Sequence, residues 1–129
     1  ISAEIKALHP DIIVSTGDLS DDEGSYAPAI RLCENLVPIA PMYAVTGNHD
    51  LWRSDYNEFE DELSSVGVRT LHNERILLER ENSSISLCGI DDPFSITREN
   101  IMEKLSNSLA QLPKSEYFDI LLFHRYPAT

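Results

Sequence analysis

Hydrophobic residues recur along this chain at two different spacings. In four stretches they return every three or four residues, which is the period of one face of an α-helix. These helical stretches cover residues 1–8, 27–37, 56–66 and 101–112. Short apolar runs with the length of buried strands lie at residues 12–14, 42–46, 68–71, 75–80, 84–90 and 120–123. The pattern therefore predicts helices that alternate with short strands.

Turn residues support these boundaries. A proline follows three of the predicted helices, at residues 10, 38 and 113. Gly67 follows the remaining helix in the position of a C-terminal cap. Only residues 81–83 separate two of the predicted strands, so we expect an antiparallel hairpin there. Because the other strands alternate with helices, we expect one α/β domain over residues 1–129, with a mostly parallel sheet and an antiparallel portion.

The charge balance limits the partners that the chain can bind. Its 22 Asp and Glu against 10 Lys and Arg give a formal charge of −12, which repels phosphate backbones and anionic membrane surfaces. No apolar run has the length of a membrane span. The two cysteines, Cys33 and Cys88, are too few for a disulfide framework, and we expect both to be buried. We therefore expect a cytoplasmic protein with no nucleic-acid-binding surface and no membrane segment.

Polar residues follow four of the predicted strands at the point where each strand ends. Asp18 follows the first strand, and the segment Gly47-Asn48-His49-Asp50, which we expect to be a loop, follows the second. Asp91-Asp92 and His124 follow two later strands. In open α/β sheets, ligands bind outside the carboxyl ends of the strands. If these strands share a direction, the four groups converge on one crevice.

The residue types at these strand ends favour a metal site. Asp18, Asn48 and His124 offer a carboxylate, an amide oxygen and an imidazole, a set that suits Mn, Fe, Zn or Mg. The sequence has no G-x-S-x-G nucleophile elbow and no glycine-rich phosphate loop before a helix. Each piece alone has an ordinary explanation, since Gly-Asp is a common turn and a histidine at a strand end is often simply hydrogen-bonded. The hypothesis depends on their combination.

The three motifs together resemble those of the calcineurin-like metallophosphoesterase superfamily. Gly17-Asp18-Leu19-Ser20-Asp21 is similar to its G-D-x-x-D block, and Gly47-Asn48-His49-Asp50 is similar to its G-N-H-D/E block. Leu121-Leu122-Phe123-His124 is similar to its later strand that ends in a ligand histidine. The order of the motifs and their positions after strands agree as well. The resemblance implies a partial four-layer α-β-β-α sandwich, with a mixed sheet and with helices on the outside.

The resemblance also implies a role for each motif residue. Asp18 would bridge two divalent metal ions (Mn, Fe, Zn or Mg), and Asn48 and His124 would bind the second of them. His49 would be a non-ligand that contacts the substrate phosphate and protonates the leaving group, and Asp50 would orient it. In the mechanism of the family, a metal-activated hydroxide attacks phosphorus. The expected substrate is a phosphoester small molecule or a phosphorylated substrate, and it could be a phosphomonoester, a phosphodiester or a pyrophosphate.

Two blocks of the family pattern are missing from the 129 residues. The family has a D-x-H block before the first helix and a closing G-H-x-H block, and these supply the rest of the first metal site. The resemblance therefore implies the middle part of a metallophosphoesterase domain, incomplete at both ends and inactive as an isolated chain. A catalytically inactive scaffold or binding module of the same fold stays open as the alternative. The presence of all the motif residues together favours the enzyme.

Other residues near the motifs have two interpretations. Asp91-Asp92, before a proline, is typical of a plain turn but could contact substrate. Trp52 is either a wall of the pocket or a half-buried structural residue. Arg125 is either an exposed arginine or a phosphate contact. The remaining candidates are interpreted as solvated or structural: the acidic run 21–23, apart from the motif position Asp21, and the two histidines His9 and His72.

Overall fold

The computed structural model describes residues 1–93 and 100–125 of the chain. Five α-helices lie in these residues: α1 (Ser2–Ala7), α2 (Ala27–Leu36), α3 (Asn48–Trp52), α4 (Tyr56–Val66) and α5 (Ile101–Gln111). The same residues contain six strands: β1 (Ile13–Ser15), β2 (Met42–Ala44), β3 (Val68–Thr70), β4 (Glu74–Arg80), β5 (Ser83–Gly89) and β6 (Phe118–Leu122). Helices and strands alternate along most of the chain, as the hydrophobic pattern predicts.

The strands form two three-stranded sheets. In the first sheet β2 lies between β1 and β3, and both pairs are parallel. In the second sheet β5 pairs antiparallel with β4 and parallel with β6. The predicted hairpin is confirmed, with Arg80 opposite Ser83 at its turn. The hydrophobic pattern alone indicated one sheet, because the pattern of a strand does not specify which strand lies beside it.

The two sheets face each other and carry helices on their outer sides. Met42 and Ala44 of β2 pack with buried residues of α2 and α4. Tyr43, which lies between them in sequence, packs instead against the cluster that contains Leu87 of the second sheet. This alternation is the strand period of two. On the far side of the second sheet Cys88 packs with α5. The expected mixed α/β architecture, with sheets inside and helices outside, is therefore confirmed.

The ends of two helices show how local sequence sets the structure. Gly67 ends α4 with a left-handed φ of 106°, and its N–H donates to carbonyl groups of the last turn. The segment Gly47–Asp50 differs from the prediction, because it leads into α3 and is not a loop. Asp50, the third residue of α3, accepts the N–H of Gly47 just before the helix. This capping interaction begins the helix.

The structure bears on two expectations that came from composition. Cys33 and Cys88 are both free and buried, as expected. Within residues 1–93 and 100–125, every helix falls short of the length and apolar character that a membrane crossing requires.

Candidate functional site

The loop after β1 contains two consecutive residues in the left-handed region. Gly17 has a φ of 99° and Asp18 has a φ of 54°, a conformation that aspartate tolerates better than most residues. A Cβ at Gly17 would stand 2.6 Å from the nitrogen of Gly47 and 2.8 Å from Nδ1 of His124. Only glycine fits such a close approach. The turn therefore brings the ends of β1, β2 and β6 into contact.

Asp18 and His124 face each other at this meeting point. Oδ2 of Asp18 is 3.3 Å from Nε2 of His124. Nδ1 of His124 donates its hydrogen to the carbonyl oxygen of Thr16 at 2.8 Å, since a carbonyl can only accept. That hydrogen bond fixes the tautomer and directs Nε2 toward the carboxylate. Two ligands bonded at about 2.1 Å to one ion lie about 3.0 to 3.4 Å apart in octahedral or tetrahedral geometry, so the spacing suits a shared ion.

The G-N-H-D segment lies directly against Asp18. The backbone N–H of His49 donates to Oδ1 of Asp18 at 3.0 Å. A Cβ at Gly47 would stand 2.1 Å from the same oxygen. Asn48 lies between these two residues, at the first position of α3. The structure thus brings together Asp18, His124 and the backbone that carries Asn48. That these residues bind metal stays a prediction.

The imidazole of His49 lies among carboxylates. Its Nδ1 is 3.3 Å from Oδ1 of Asp22 and 3.4 Å from Oδ1 of Asp21. The hydrogen bond with Asp22 raises the pKa of His49 above its ordinary value, which favours the protonated ring. Oxygen and nitrogen atoms of these three residues all lie within 4.8 Å of one another. The interpretation of Asp22 as a merely solvated residue is wrong, because it is a partner of His49.

Asp50 makes different contacts from those expected. Its side chain is buried, and its carboxylate accepts the backbone N–H groups of Asp18 at 2.8 Å, Gly47 at 2.9 Å and Ser20 at 3.0 Å. Across the part of the chain that the structure describes, Asp50 makes no hydrogen bond to His49, so the expected direct orientation of that ring is not observed. Both carboxylate oxygens are engaged by backbone groups. Asp50 therefore ties the loop after β1 to the loop after β2.

Comparison with known proteins agrees with this geometry. The family model of the calcineurin-like phosphoesterases matches residues 2–128. The chain belongs to the calcineurin-like phosphoesterase family. The family is one of phosphoester hydrolases that use divalent metal ions. A carboxylate and an imidazole nitrogen that face each other at ligand spacing, as in Asp18 and His124, fit such ions.

Three relatives are longer proteins that this chain matches in part. The "Transmembrane protein with metallophosphoesterase domain" of Danio rerio is 34% identical over 96 residues, which are 71% of this chain and 22% of the relative. The "Uncharacterized metallophosphoesterase YkoQ" of Bacillus subtilis is 36% identical over 96 residues, 70% of this chain and 35% of the relative. The "3',5'-cyclic adenosine monophosphate phosphodiesterase CpdA" of Escherichia coli is 30% identical over 131 aligned positions, 97% of this chain and 45% of the relative. The chain spans less than half the length of each of these relatives.

Arg53 anchors the acidic loop of the candidate site, and no sequence motif pointed to it. Only 4% of its side chain is exposed. The guanidinium donates to both carboxylate oxygens of Asp55 and to the carbonyl oxygens of Asp21 at 2.6 Å and Gly24 at 2.9 Å. Its central carbon lies 5.2 Å from the ring centroid of Tyr26, which adds a cation–π contact. The loop that carries Asp21 is therefore attached to the beginning of α4.

The turn after β5 belongs to the same edge of the molecule. Oγ1 of Thr46, just after β2, donates to Asp91 at 3.1 Å and accepts the N–H of Asp92 at 3.0 Å. Arg125 donates to both oxygens of the fully buried Asp92 carboxylate, at 2.7 and 3.0 Å. The interpretations of Asp91-Asp92 as a plain turn and of Arg125 as an exposed residue are therefore wrong. This ion pair holds the residue after His124 against the end of β5.

Proposed function

We propose that this protein hydrolyses phosphoesters with divalent metal ions, that Asp18, Asn48 and His124 bind one ion, and that Asp18 also bridges to a second. The observation that supports this most is the 3.3 Å approach of the Asp18 carboxylate to Nε2 of His124. A carboxylate and an imidazole at this spacing suit Mn, Fe, Zn or Mg. Ions held there would supply positive charge against the phosphate and would lower the pKa of bound water.

In this proposal His49 is the proton donor. Nδ1 of its ring is directed at Asp22, so the other nitrogen, Nε2, carries the proton that passes to the leaving oxygen as the bond from that oxygen to phosphorus breaks. Water supplies the hydroxyl group to phosphorus, and its second hydrogen restores the proton on His49. Asp21 and Asp22 stabilise the protonated ring by charge. Asp50 is a positioning residue, because it holds the loop that carries Asp18.

Metal binding tests this assignment directly. Mn²⁺ is titrated into wild type, Asp18→Asn and His124→Ala, and the heat of binding is measured. Removing even an indirect partner of a metal ligand costs about 10- to 100-fold in affinity, so we expect at least this loss in both variants. His9→Ala is the matched control, since His9 lies before β1, at the opposite end of that strand from Asp18. Equal affinity in all four proteins would remove these residues from the metal site and favour the scaffold alternative.

Turnover tests the role of His49. In the full-length protein, with Mn²⁺ and a phosphodiester, His49→Ala should keep its metal content while its turnover falls by about 10²- to 10⁴-fold, the usual contribution of a positioned general acid. The defect should be smaller for a p-nitrophenyl ester than for an alkyl ester, because a good leaving group needs little protonation. Loss of metal from His49→Ala, or equal defects for both esters, would assign His49 another role.

A further inference from the structure

Trp52 is the single tryptophan of the 129 residues, and it lies beside the proposed proton donor. It is the last residue of α3, three positions after His49. The ring centroids of Trp52 and His49 are 4.9 Å apart, and their planes are inclined at 59°. Half of Trp52 is exposed (50%). An aromatic surface is therefore open to solvent next to the imidazole.

The indole of Trp52 is not part of the buried core. The apolar clusters within residues 1–93 and 100–125 do not include Trp52. The buried side chain of α3 is Asp50, so the helix turns its charged residue inward and its indole outward. An indole is among the side chains that gain most from burial, and this one keeps half of its surface in water. Trp52 is half-buried, as one interpretation of the sequence expected, and the exposed half of the indole forms an aromatic wall beside His49.

The charges around His49 restrict what can bind against this wall. Asp21 and Asp22 stand at the imidazole. The two arginines described at this edge, Arg53 and Arg125, are each paired with a carboxylate of the protein. These side chains therefore repel a ligand with one negative charge less than a ligand with two, although divalent ions bound at the proposed metal site would attract both. A phosphodiester carries one negative charge, whereas a phosphomonoester carries almost two at neutral pH.

We propose that Trp52 determines specificity by stacking the planar aromatic leaving group of a phosphodiester against its exposed face. This inference rests on the proposed phosphoester hydrolysis and narrows it to one substrate class. Because Trp52 lies beside His49, a ring stacked on the indole would lie next to the proposed proton donor. Stacking of a planar ring on an aromatic side chain changes affinity by about 10-fold or more. A saturated ring of the same size lacks the π face and gains only ordinary apolar contact.

Two matched diesters separate stacking from general apolar contact. Dibenzyl phosphate and bis(cyclohexylmethyl) phosphate carry the same charge, and each gives the same products whichever ester bond breaks. We expect Trp52→Ala to raise KM for the dibenzyl ester about 10-fold with little change in kcat, and to change KM for the saturated ester less than about 2-fold. Trp52→Phe should restore most of the affinity. Tyr117→Ala is the control, because Tyr117 is equally exposed (50%) and precedes β6.

Fluorescence gives a readout that does not depend on turnover. Because Trp52 is the single tryptophan, stopped-flow mixing of the Mn²⁺-loaded protein with the dibenzyl ester should quench its emission, and the saturated ester should leave it nearly unchanged. Equal changes of KM for both esters, or equal fluorescence responses, would overturn the inference even if both esters are hydrolysed. If the full-length wild type hydrolyses neither these two esters nor a p-nitrophenyl phosphoester, the proposed function fails, and the fluorescence comparison alone decides whether Trp52 stacks planar rings.

Discussion

The two sheets differ in the length of their strands and in the interactions that stabilise them. Each strand of the first sheet is only three residues long, whereas the hairpin of the second sheet pairs seven residues with seven. The loops that follow β1 and β2 are held by two buried charged side chains, Asp50 and Arg53. The second sheet depends on its longer hydrogen-bonded ladder and on apolar residues such as Leu87, which is 0% exposed. Site geometry and scaffold stability therefore depend on different interactions.

Short strands leave backbone groups available for the site. A buried N–H needs a hydrogen-bond acceptor, and beyond the end of a strand the ladder no longer supplies one. Here the N–H groups of Asp18, Ser20 and Gly47 are all accepted by the Asp50 carboxylate. The Asp50 side chain thus supplies the acceptors that strand pairing no longer provides beyond the ends of β1 and β2. The loops can then approach each other closely enough to bring candidate metal ligands together.

The largest expected loss of stability comes from the apolar interface between the sheets. Leu87→Ala removes a buried side chain from the cluster with Val45, Leu71 and Leu122, and should lower the free energy of unfolding by about 3 to 4 kcal/mol. Mn²⁺ affinity of the folded protein should change little, because no loop of the site is touched. Urea unfolding and Mn²⁺ titration measure the two effects. Leu77→Ala, at a residue that is 44% exposed, is the control. A large fall in metal affinity in Leu87→Ala would contradict the separation of site from scaffold.

A change at Asp50 should affect both properties at once. Asp50→Asn removes the charge and turns one acceptor oxygen into a donor that faces backbone N–H groups, so we expect a loss of about 2 to 3 kcal/mol in stability. Because the loop that carries Asp18 is released, Mn²⁺ affinity should also fall by more than about 10-fold. Asp61→Asn, on the exposed side of α4, is the matched control. If Asp50→Asn lost stability but kept its full Mn²⁺ affinity, Asp50 would not be a positioning residue.

A smaller and more local effect is expected at Arg53. Arg53→Ala leaves the carbonyl groups of Asp21 and Gly24 without their donor, and should cost about 2 kcal/mol and expose the loop 19–25 to proteases. Arg53→Lys should recover only part of this, since an ammonium group cannot reproduce the forked contacts. Arg69→Ala, at a side chain that is 56% exposed, should change stability by less than about 0.5 kcal/mol. Urea unfolding and limited proteolysis of all three variants measure these effects, and equal results at Arg53 and Arg69 would refute the anchoring role.

The elements and the motif positions could be predicted from the sequence because their signals are local. Helix and strand periods, and the cap at Gly67, depend on residues a few positions apart. The short helix α3 was missed, because five residues are too few to display a helical period. The roles of the motif residues in metal binding and catalysis stay predictions.

The long-range contacts of the two arginines, Arg53 with a backbone carbonyl and Arg125 with a carboxylate, could not be predicted, since each depends on a distant partner. Arg53 contacts Asp21 across 32 positions of the sequence, and Arg125 contacts Asp92 across 33. An arginine on the surface and an arginine in a buried pair look the same in a single sequence. The acidic residues 21–22 carried a partial signal, because they lie within or beside the G-D-x-x-D block, but their contact with His49 required the fold.

The smallest predicted effect concerns a polar contact between α4, which packs on the first sheet, and the turn after β5 of the second sheet. His72, between β3 and β4, hydrogen-bonds to Glu60 of α4 and to Asp91 after β5. Asp91 is the main cause that raises the pKa of His72 from 6.5 to about 9. Its charged form is therefore favoured by folding, and the resulting stabilisation is complete below about pH 6.5 and is lost as the pH rises through about 9. Because 41% of the side chain is exposed, solvent screens the interaction and the contribution is about 1 kcal/mol.

A variant that cannot titrate isolates this contribution from other groups that lose protons in the same range. We expect His72→Gln to be less stable than wild type by about 1 kcal/mol near pH 6, and the difference to disappear near pH 10. Urea unfolding of both proteins at the two pH values gives this double difference, in which the shared titrations cancel. Mn²⁺ affinity should be the same in both proteins, because His72 touches neither Asp18 nor His124 in the structure described. A difference in stability that stays constant with pH would mean that the charge of His72 does not contribute to stability and that only its packing and neutral hydrogen bonds do.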